Sequence, residues 1–408
     1  SDGASTEPAA LRAEGEQDRD RDDNDDARRG AQVGGPLSGL SEDLLALFRL
    51  GGEEFARAQL PRDGLGPVYI ERACGTCHNL GGLGGADPLR DPNHLVRRFA
   101  TITNGAYDPL AALGGDVLQT RSISPLQPGC NVAPEQVPQQ ATILSQRNPL
   151  PVFGDGLIDA IPDAVILAGV GPKGDGVVGK ANLDANGRPG RFGWKAQGNT
   201  LIAFSATAAN GTMGITTSLN PNEPLPQGQP IPPGCQPADV GATSPNDQSG
   251  AFLFSVTGWQ ALLAPPRPQP LSPTAQRGRA VFERIGCAKC HTPELQTGSY
   301  NLALRGGGSV AVPQLSNQPV ALYSDLLLHD MGPGLDEGVV MRQARGPEFR
   351  TAPLWGVSVR ERFLHDGRAD SVDQAIRLHG GEATIIRDRY AALRHDERGA
   401  LLRFLKAL

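Results

Sequence analysis

Three shortages bound what this 408-residue chain can be. It has no stretch of eighteen apolar residues, so no helix of it spans a membrane. It has no short apolar run of the kind that forms the core of a secretory leader. Outside residues 1–35 it also has almost no net charge. The total is -6, and ten acids against five arginines in 1–35 supply -5 of it. A nearly neutral body lacks the basic surface that nucleic acid demands. The acidic segment has little apolar surface to bury, so a disordered tail is expected over residues 1–38, a solvated tether or a docking arm for a cationic partner. Glycine (52) and proline (35) are plentiful, which predicts long irregular connections.

Cysteine is scarce, six in all, and four of the six fall into a repeated pattern. Cys74-Gly75-Thr76-Cys77-His78 is matched 213 residues later by Cys287-Ala288-Lys289-Cys290-His291. C-x-x-C-H is the attachment signature of c-type haem. Two thiols at that spacing can each add to a vinyl group, and the following imidazole can bind iron. A zinc or dithiol site would leave both histidines idle. The spacing therefore predicts two covalently attached haem c groups, with His78 and His291 as iron ligands. Such attachment belongs outside the cytoplasm, so a periplasmic location with a leader already removed is expected. The remaining pair, Cys130 and Cys235, could form a disulfide there; the alternative is two buried thiols.

In chain order, Ser41 can cap a helix through Leu44, Leu45, Leu47 and Phe48. Glycines 81–85 can hug a porphyrin edge. His94, expected on a short helix with Leu95 and Phe99, is either a distal ligand of the first iron or a polar surface or propionate-binding residue. Residues 103–150 read as loop. Pro151–Ile161 reads as a turn entering a helix, and a second helix is expected from Arg191 to about residue 210. Asp175, Asp184 and Asn186 lie in a Gly- and Asp-rich stretch that could wrap calcium, although the full calcium-loop pattern is missing. A helical run near 251 ends at a Pro-rich hinge. Ser272-Pro273 then starts a helix with Gly278 and Phe282 on one face. A final helix carries Leu401, Leu405 and Leu408. The divisions expected are 1–38, 39–268 and 269–408, the last two bearing one haem each.

The blocks GLGPVYIERACGTCH, PVFGDGLIDAIPDA, GRFGWKAQ, MGIT, YSDLLLHDMG, RTAPLWGVSVRERFLHDGRA and LHGGEA occur in order from about residue 64 to the end. Together they resemble the bacterial di-haem oxidoreductases, similar to di-haem cytochrome c peroxidases and to the di-haem enzyme of methylamine utilisation. That resemblance implies a mainly α fold with long irregular loops, its two cytochrome c-like haem domains packed together. It also implies a closed second haem, for which His379 is the second ligand, with Met331, Met341, His329 and His365 as competitors. Trp194 is implied between the haems as an electron relay, with Arg191 and Lys195 near haem propionates. Peroxidatic relatives carry a Gln and an acid where this chain has Phe204 and Thr212, neither able to move a proton at neutral pH. The implied activity is peroxidase-like turnover at the first haem, fed by a small redox protein. The alternatives are dioxygen-dependent oxidation of an organic or protein substrate, and plain electron carriage.

Overall fold

The computed structural model describes residues 33–86, 94–236 and 248–408. The acidic run 1–32 lies outside them. From residue 33 the chain is already docked, since Leu37 N–H donates to the Leu262 carbonyl at 2.9 Å.

Ten α-helices are described: α1 Glu42–Ala56, α2 Cys74–Cys77, α3 Asp155–Asp159, α4 Asp163–Leu167, α5 Leu201–Met213, α6 Gln248–Leu262, α7 Pro273–Ile285, α8 Val372–Leu378, α9 Thr384–Ala391 and α10 His395–Lys406. Ser41 caps α1 by accepting from Leu44 N–H at 3.4 Å, and Ser272 caps α7 with Pro273 in its first turn. Two crossings carry the packing. α1 meets α6 at Gly51, where a Cβ would lie 2.2 Å from the Ser255 carbonyl oxygen. α7 meets α10 at Gly278, where a Cβ would lie 1.9 Å from the Ala400 carbonyl oxygen. Each glycine lets two helix backbones touch, and any side chain there would force them apart. Aromatic rings fill in beside both crossings. Phe55 lies 4.3 Å from Trp259 in the first, and Phe282 lies 5.5 Å from Phe404 in the second.

The mainly α expectation is overturned. Helix accounts for 34 % of the structure and strand for 15 %, in several small antiparallel sheets. The reason is local. Glycine and proline interrupt most segments before a helix can propagate, and short hairpins need far fewer consecutive residues. In the first half β1 Val68–Tyr69 pairs with β4 Arg121–Ser122, while β2 Val96–Thr103 is flanked by β3 Ala106–Asp108 and β5 Ile143–Arg147. The helix expected after His94 is thus a strand, built from the β-branched run Val96, Thr101, Ile102, Thr103. Likewise 103–150 is not all loop. The helix expected from Arg191 begins only at Leu201, because Gly193 (φ 79°) and Ala196 (φ 47°) turn the chain and Thr200 supplies the cap.

Buried side chains form two large clusters. One joins α1, α3, α5 and α6; the other joins α7 and α10 with Tyr323, Phe363 and Tyr390. Leu302, Leu315, Leu322 and Leu327 follow the second C-x-x-C-H yet pack into the first cluster, so the two halves interlock. The Cys130–Cys235 disulfide is formed, with Cα atoms 4.6 Å apart.

Candidate functional site

Tyr69, Ile70 and Glu71 lead into the first C-x-x-C-H, and this lead is fixed by the end of α5. Ile70 and Glu71 N–H groups donate to the Thr212 carbonyl at 2.7 and 3.3 Å. That pairing places α5 beside α2 and leaves a cavity of about 850 Å³ between them. Cys74, Cys77 and His78 line it, and so do Phe192, Trp194, Phe204 and Thr212. Residues more than a hundred positions apart in sequence are therefore brought to one site. Phe192 and Phe204 stack at 5.9 Å and give the cavity an apolar face. Burial holds the His78 imidazole neutral, its pKa pushed down to about 4, and its Nδ1 has no hydrogen-bond partner. His94 lines the same cavity, with Nε2 3.5 Å from a Glu71 oxygen.

Trp194 sits at the cavity's inner edge. Its Nε1–H donates to the Asn148 carbonyl at 2.8 Å, and its ring packs in a cluster with Phe349, Leu335 and Leu364. Phe349 in turn stacks on His365 at 4.2 Å. His365 and Phe349 are thus part of an aromatic bridge leading away from the cavity.

Arg191 and Lys195 do not line the cavity. Arg191 binds the Ile161 carbonyl and Asp163. Lys195 is fully buried, with Nζ donating to the Arg345 and Gly346 carbonyls at 2.7 and 2.6 Å and lying 3.3 Å from Glu337. Both cations thus have protein partners away from the cavity, although the buried Arg191 Nε has none. Two arginines that sequence reasoning passed over, Arg350 and Arg360, do line it. Both are buried, and among the described residues neither has a carboxylate within ion-pair distance. Arg360 Nε has no partner at all. Burial lowers each to about 10, Asp155 opposing the fall at Arg350 and the Arg350 charge adding to it at Arg360. Buried, uncompensated cations are costly unless an anion joins them. They bracket the block RTAPLWGVSVR, and that spacing was the available signal.

The second C-x-x-C-H follows α7 through Gly286 in the left-handed region (φ 103°). His291 Nδ1 donates to the Tyr323 carbonyl at 3.0 Å. His379 ends α8, and its Nδ1 donates to the Ala375 carbonyl at 2.7 Å. Burial pushes the pKa of His291 down to about 4, and the His379 charge contributes next. Burial lowers His379 as well. His329 has a different task. Its Nε2 and Nδ1 each lie 2.9 Å from a carboxylate, Asp325 and Glu382, so both ring nitrogens are occupied. Met341 lies at the other site, 3.2 Å from an Arg147 nitrogen.

The calcium donors are dispersed. Asp175 pairs with Arg389 and Lys289, and Asp184 accepts turn N–H groups from Asn186 and Arg188. Among the described residues no group of three or more His, Cys, Asp or Glu could hold a metal ion.

Residues 129–408 match the family described as "Di-haem oxidoreductase, putative peroxidase". The chain belongs to this di-haem oxidoreductase family. Membership implies two haem groups. At the first C-x-x-C-H the residues present fit one: a cavity large enough for a porphyrin, an imidazole with an idle nitrogen, and two buried arginines, Arg360 with a free Nε and Arg350 bonded, among the described residues, only to the Gly193 and Thr351 carbonyls. No curated protein matches the chain. Similar solved structures include hydrazine synthase from Kuenenia stuttgartiensis, at 14 % identity over 94 % of this chain and 92 % of that one, with a TM-score of 0.37. A MauG-like protein associated with microbial copper homeostasis gives 16 %, 93 %, 92 % and 0.38. A variant of the diheme peroxidase BthA from Burkholderia thailandensis gives 14 %, 88 %, 85 % and 0.39. Likenesses this distant carry no argument about this di-haem oxidoreductase. No helix of the described residues is long and apolar enough to cross a membrane.

Proposed function

We propose that the chain is a periplasmic di-haem c-type oxidoreductase of peroxidase-like type, with haems attached through Cys74/Cys77 and Cys287/Cys290. The observation that carries this reading is the contrast between its two sites. At the first, His78 faces a cavity of about 850 Å³ with room for a small substrate. At the second, His291 and His379 have both given Nδ1 to backbone carbonyls, the arrangement that orients Nε2 of each toward a metal. A closed haem can relay electrons while an open one meets substrate. We further propose the division at residue 268, one haem on each side.

When bound, the haems supply the redox chemistry of peroxide reduction. The chain's own residues set its terms. His78 and His291 serve as neutral ligands because burial keeps them unprotonated. Arg350 and Arg360 anchor and neutralise the first haem's carboxylates. Trp194, held by Asn148 and packed in one apolar cluster with Phe349, is the electron relay between the sites. Phe204 and Phe192 exclude water from one wall. The Thr212 hydroxyl already donates to the Ala208 carbonyl at 2.6 Å, so it holds no proton for substrate. The electron donor is a small redox protein.

The apolar Phe192–Phe204 wall favours a second reading, dioxygen-dependent oxidation of an organic or protein substrate. Adding hydrogen peroxide to the ferric protein and following the Soret band, with electron paramagnetic resonance for high-spin iron, separates the two. Rapid spectral change at one high-spin haem is expected. Two low-spin haems that ignore peroxide would leave an electron carrier instead.

A further inference from the structure

Resting on the peroxidase-like reading, we propose that Glu223 is the proton-carrying carboxyl of the first cavity. Four carboxyl side chains line that cavity: Glu71, Asp116, Asp155 and Glu223. Three of them face cations. Glu71 lies 2.5 Å from Arg121 and 3.5 Å from His94, Asp116 pairs with Arg98, and Asp155 feels the Arg350 charge. Glu223 faces none. The Thr216 hydroxyl engages the carboxyl, and Oε2 is buried with no partner.

Its position is built, not incidental. After α5 the chain folds back along that helix, with Ile215 N–H on the Ala209 carbonyl at 3.2 Å and Asn220 on the Thr207 hydroxyl at 3.4 Å. Asn210 then donates to the Asn222 carbonyl at 3.1 Å, and Pro224 fixes the backbone on the other side. Glu223 is held between these two, over the helix turn that carries Thr212. A carboxyl out of reach of cations stays protonated further up the pH scale. Burial raises Glu223 to about 7, opposed by the Thr216 hydroxyl, and no charged side chain contributes. That is where a group must titrate to give up and regain a proton in each turnover.

Reductive cleavage of hydrogen peroxide breaks the O–O bond, takes two electrons, one from each of two reduced one-electron donor proteins that are oxidised in turn, and consumes two protons to give two waters. Glu223 delivers one of these protons from Oε2 to the leaving oxygen, becomes a carboxylate, and is reprotonated from solvent. Bulk water supplies the other.

The test uses the haem-loaded full chain and its Glu223→Gln and Glu223→Asp variants. Infrared difference spectra across neutral pH should contain a protonated-carboxyl band that is absent in Glu223→Gln. Peroxide turnover should fall about 10²–10⁴-fold in Glu223→Gln and recover partly in Glu223→Asp, while the resting Soret and paramagnetic spectra stay unchanged. A neutral-range band that survives in Glu223→Gln, or disappears in Asp155→Asn instead, overturns the assignment. Fast turnover unaffected by Glu223→Gln overturns it too and leaves the peroxidase reading standing. A wild-type protein inert to peroxide, with the Glu223 band in place, overturns the peroxidase reading and the catalytic role together.

Discussion

His291 and His379 are held by the same device: each donates Nδ1–H to a backbone carbonyl, at 3.0 and 2.7 Å, so neither ring can rotate freely. Fixing the tautomer this way raises the ligating power of Nε2. Substituting His379→Ala should convert the second haem from low-spin to high-spin while leaving the first unchanged. Electron paramagnetic resonance of the ferric protein checks this, and an unaltered low-spin signal would move the ligand to His365 or Met331.

A second prediction concerns His329, buried between Asp325 and Glu382, with Lys173 also on Asp325 at 2.6 Å. Burial alone would lower its pKa, but in the haem-free protein hydrogen bonds to Asp325, the still-free Cys290 thiol and Glu382 hold it up at about 11. A histidine raised in the folded state gives its full stabilisation below the unfolded value of about 6.5 and loses it as pH rises through the folded one. Thermal stability should therefore decline from about pH 6.5 toward pH 11. His329→Asn should remove that slope and cost about 1–3 kcal/mol at neutral pH, since it takes one partner from each carboxylate while Asp325 keeps Lys173 and Glu382 keeps the Val178 and Asp330 N–H groups. Denaturant melts at several pH values measure both.

Arg360 gives a prediction of opposite sign in two states. In protein prepared without haem it is a buried cation without an anion, so Arg360→Met should raise stability by about 1–3 kcal/mol. In the haem-loaded protein the same change removes a carboxylate's partner and should lower the first haem's reduction potential. Urea unfolding and a redox titration read the two effects.

The disulfide between Cys130 and Cys235 closes a loop of 105 residues. Chain entropy puts its contribution at about 4–5 kcal/mol, less any strain. Replacing both cysteines by serine should lower the unfolding free energy by up to that amount, read from urea melts of the oxidised and substituted proteins.

Local signals were legible where one residue decides the outcome. Ser41, Ser272 and Pro273 set helix starts, Gly278 set a crossing, and the spacing of C-x-x-C-H named the haem sites. The cavity membership of Phe204, Thr212 and Trp194 came from the family blocks. The sheets escaped notice because two- and three-residue strands carry no periodicity to read. Arg350, Arg360 and Glu223 escaped for another reason: what marks them is the missing partner, which only the folded chain reveals. The partners of Arg191 and Lys195 were hidden by the same token, since Asp163 and Glu337 reach them from distant segments.

The segment that the disulfide closes carries Trp194, Phe204, Thr212 and Glu223, whereas His78 lies outside it. One whole wall of the cavity is therefore a covalent ring. Leu219 and Leu225 are exposed on that ring, where a protease can reach. A single cut there opens the ring without releasing a fragment, because the backbone remains continuous through the sulfur bridge. The nicked protein gains only the water of hydrolysis and stays one covalent molecule, and under denaturing conditions it separates into two pieces only once a reductant is added.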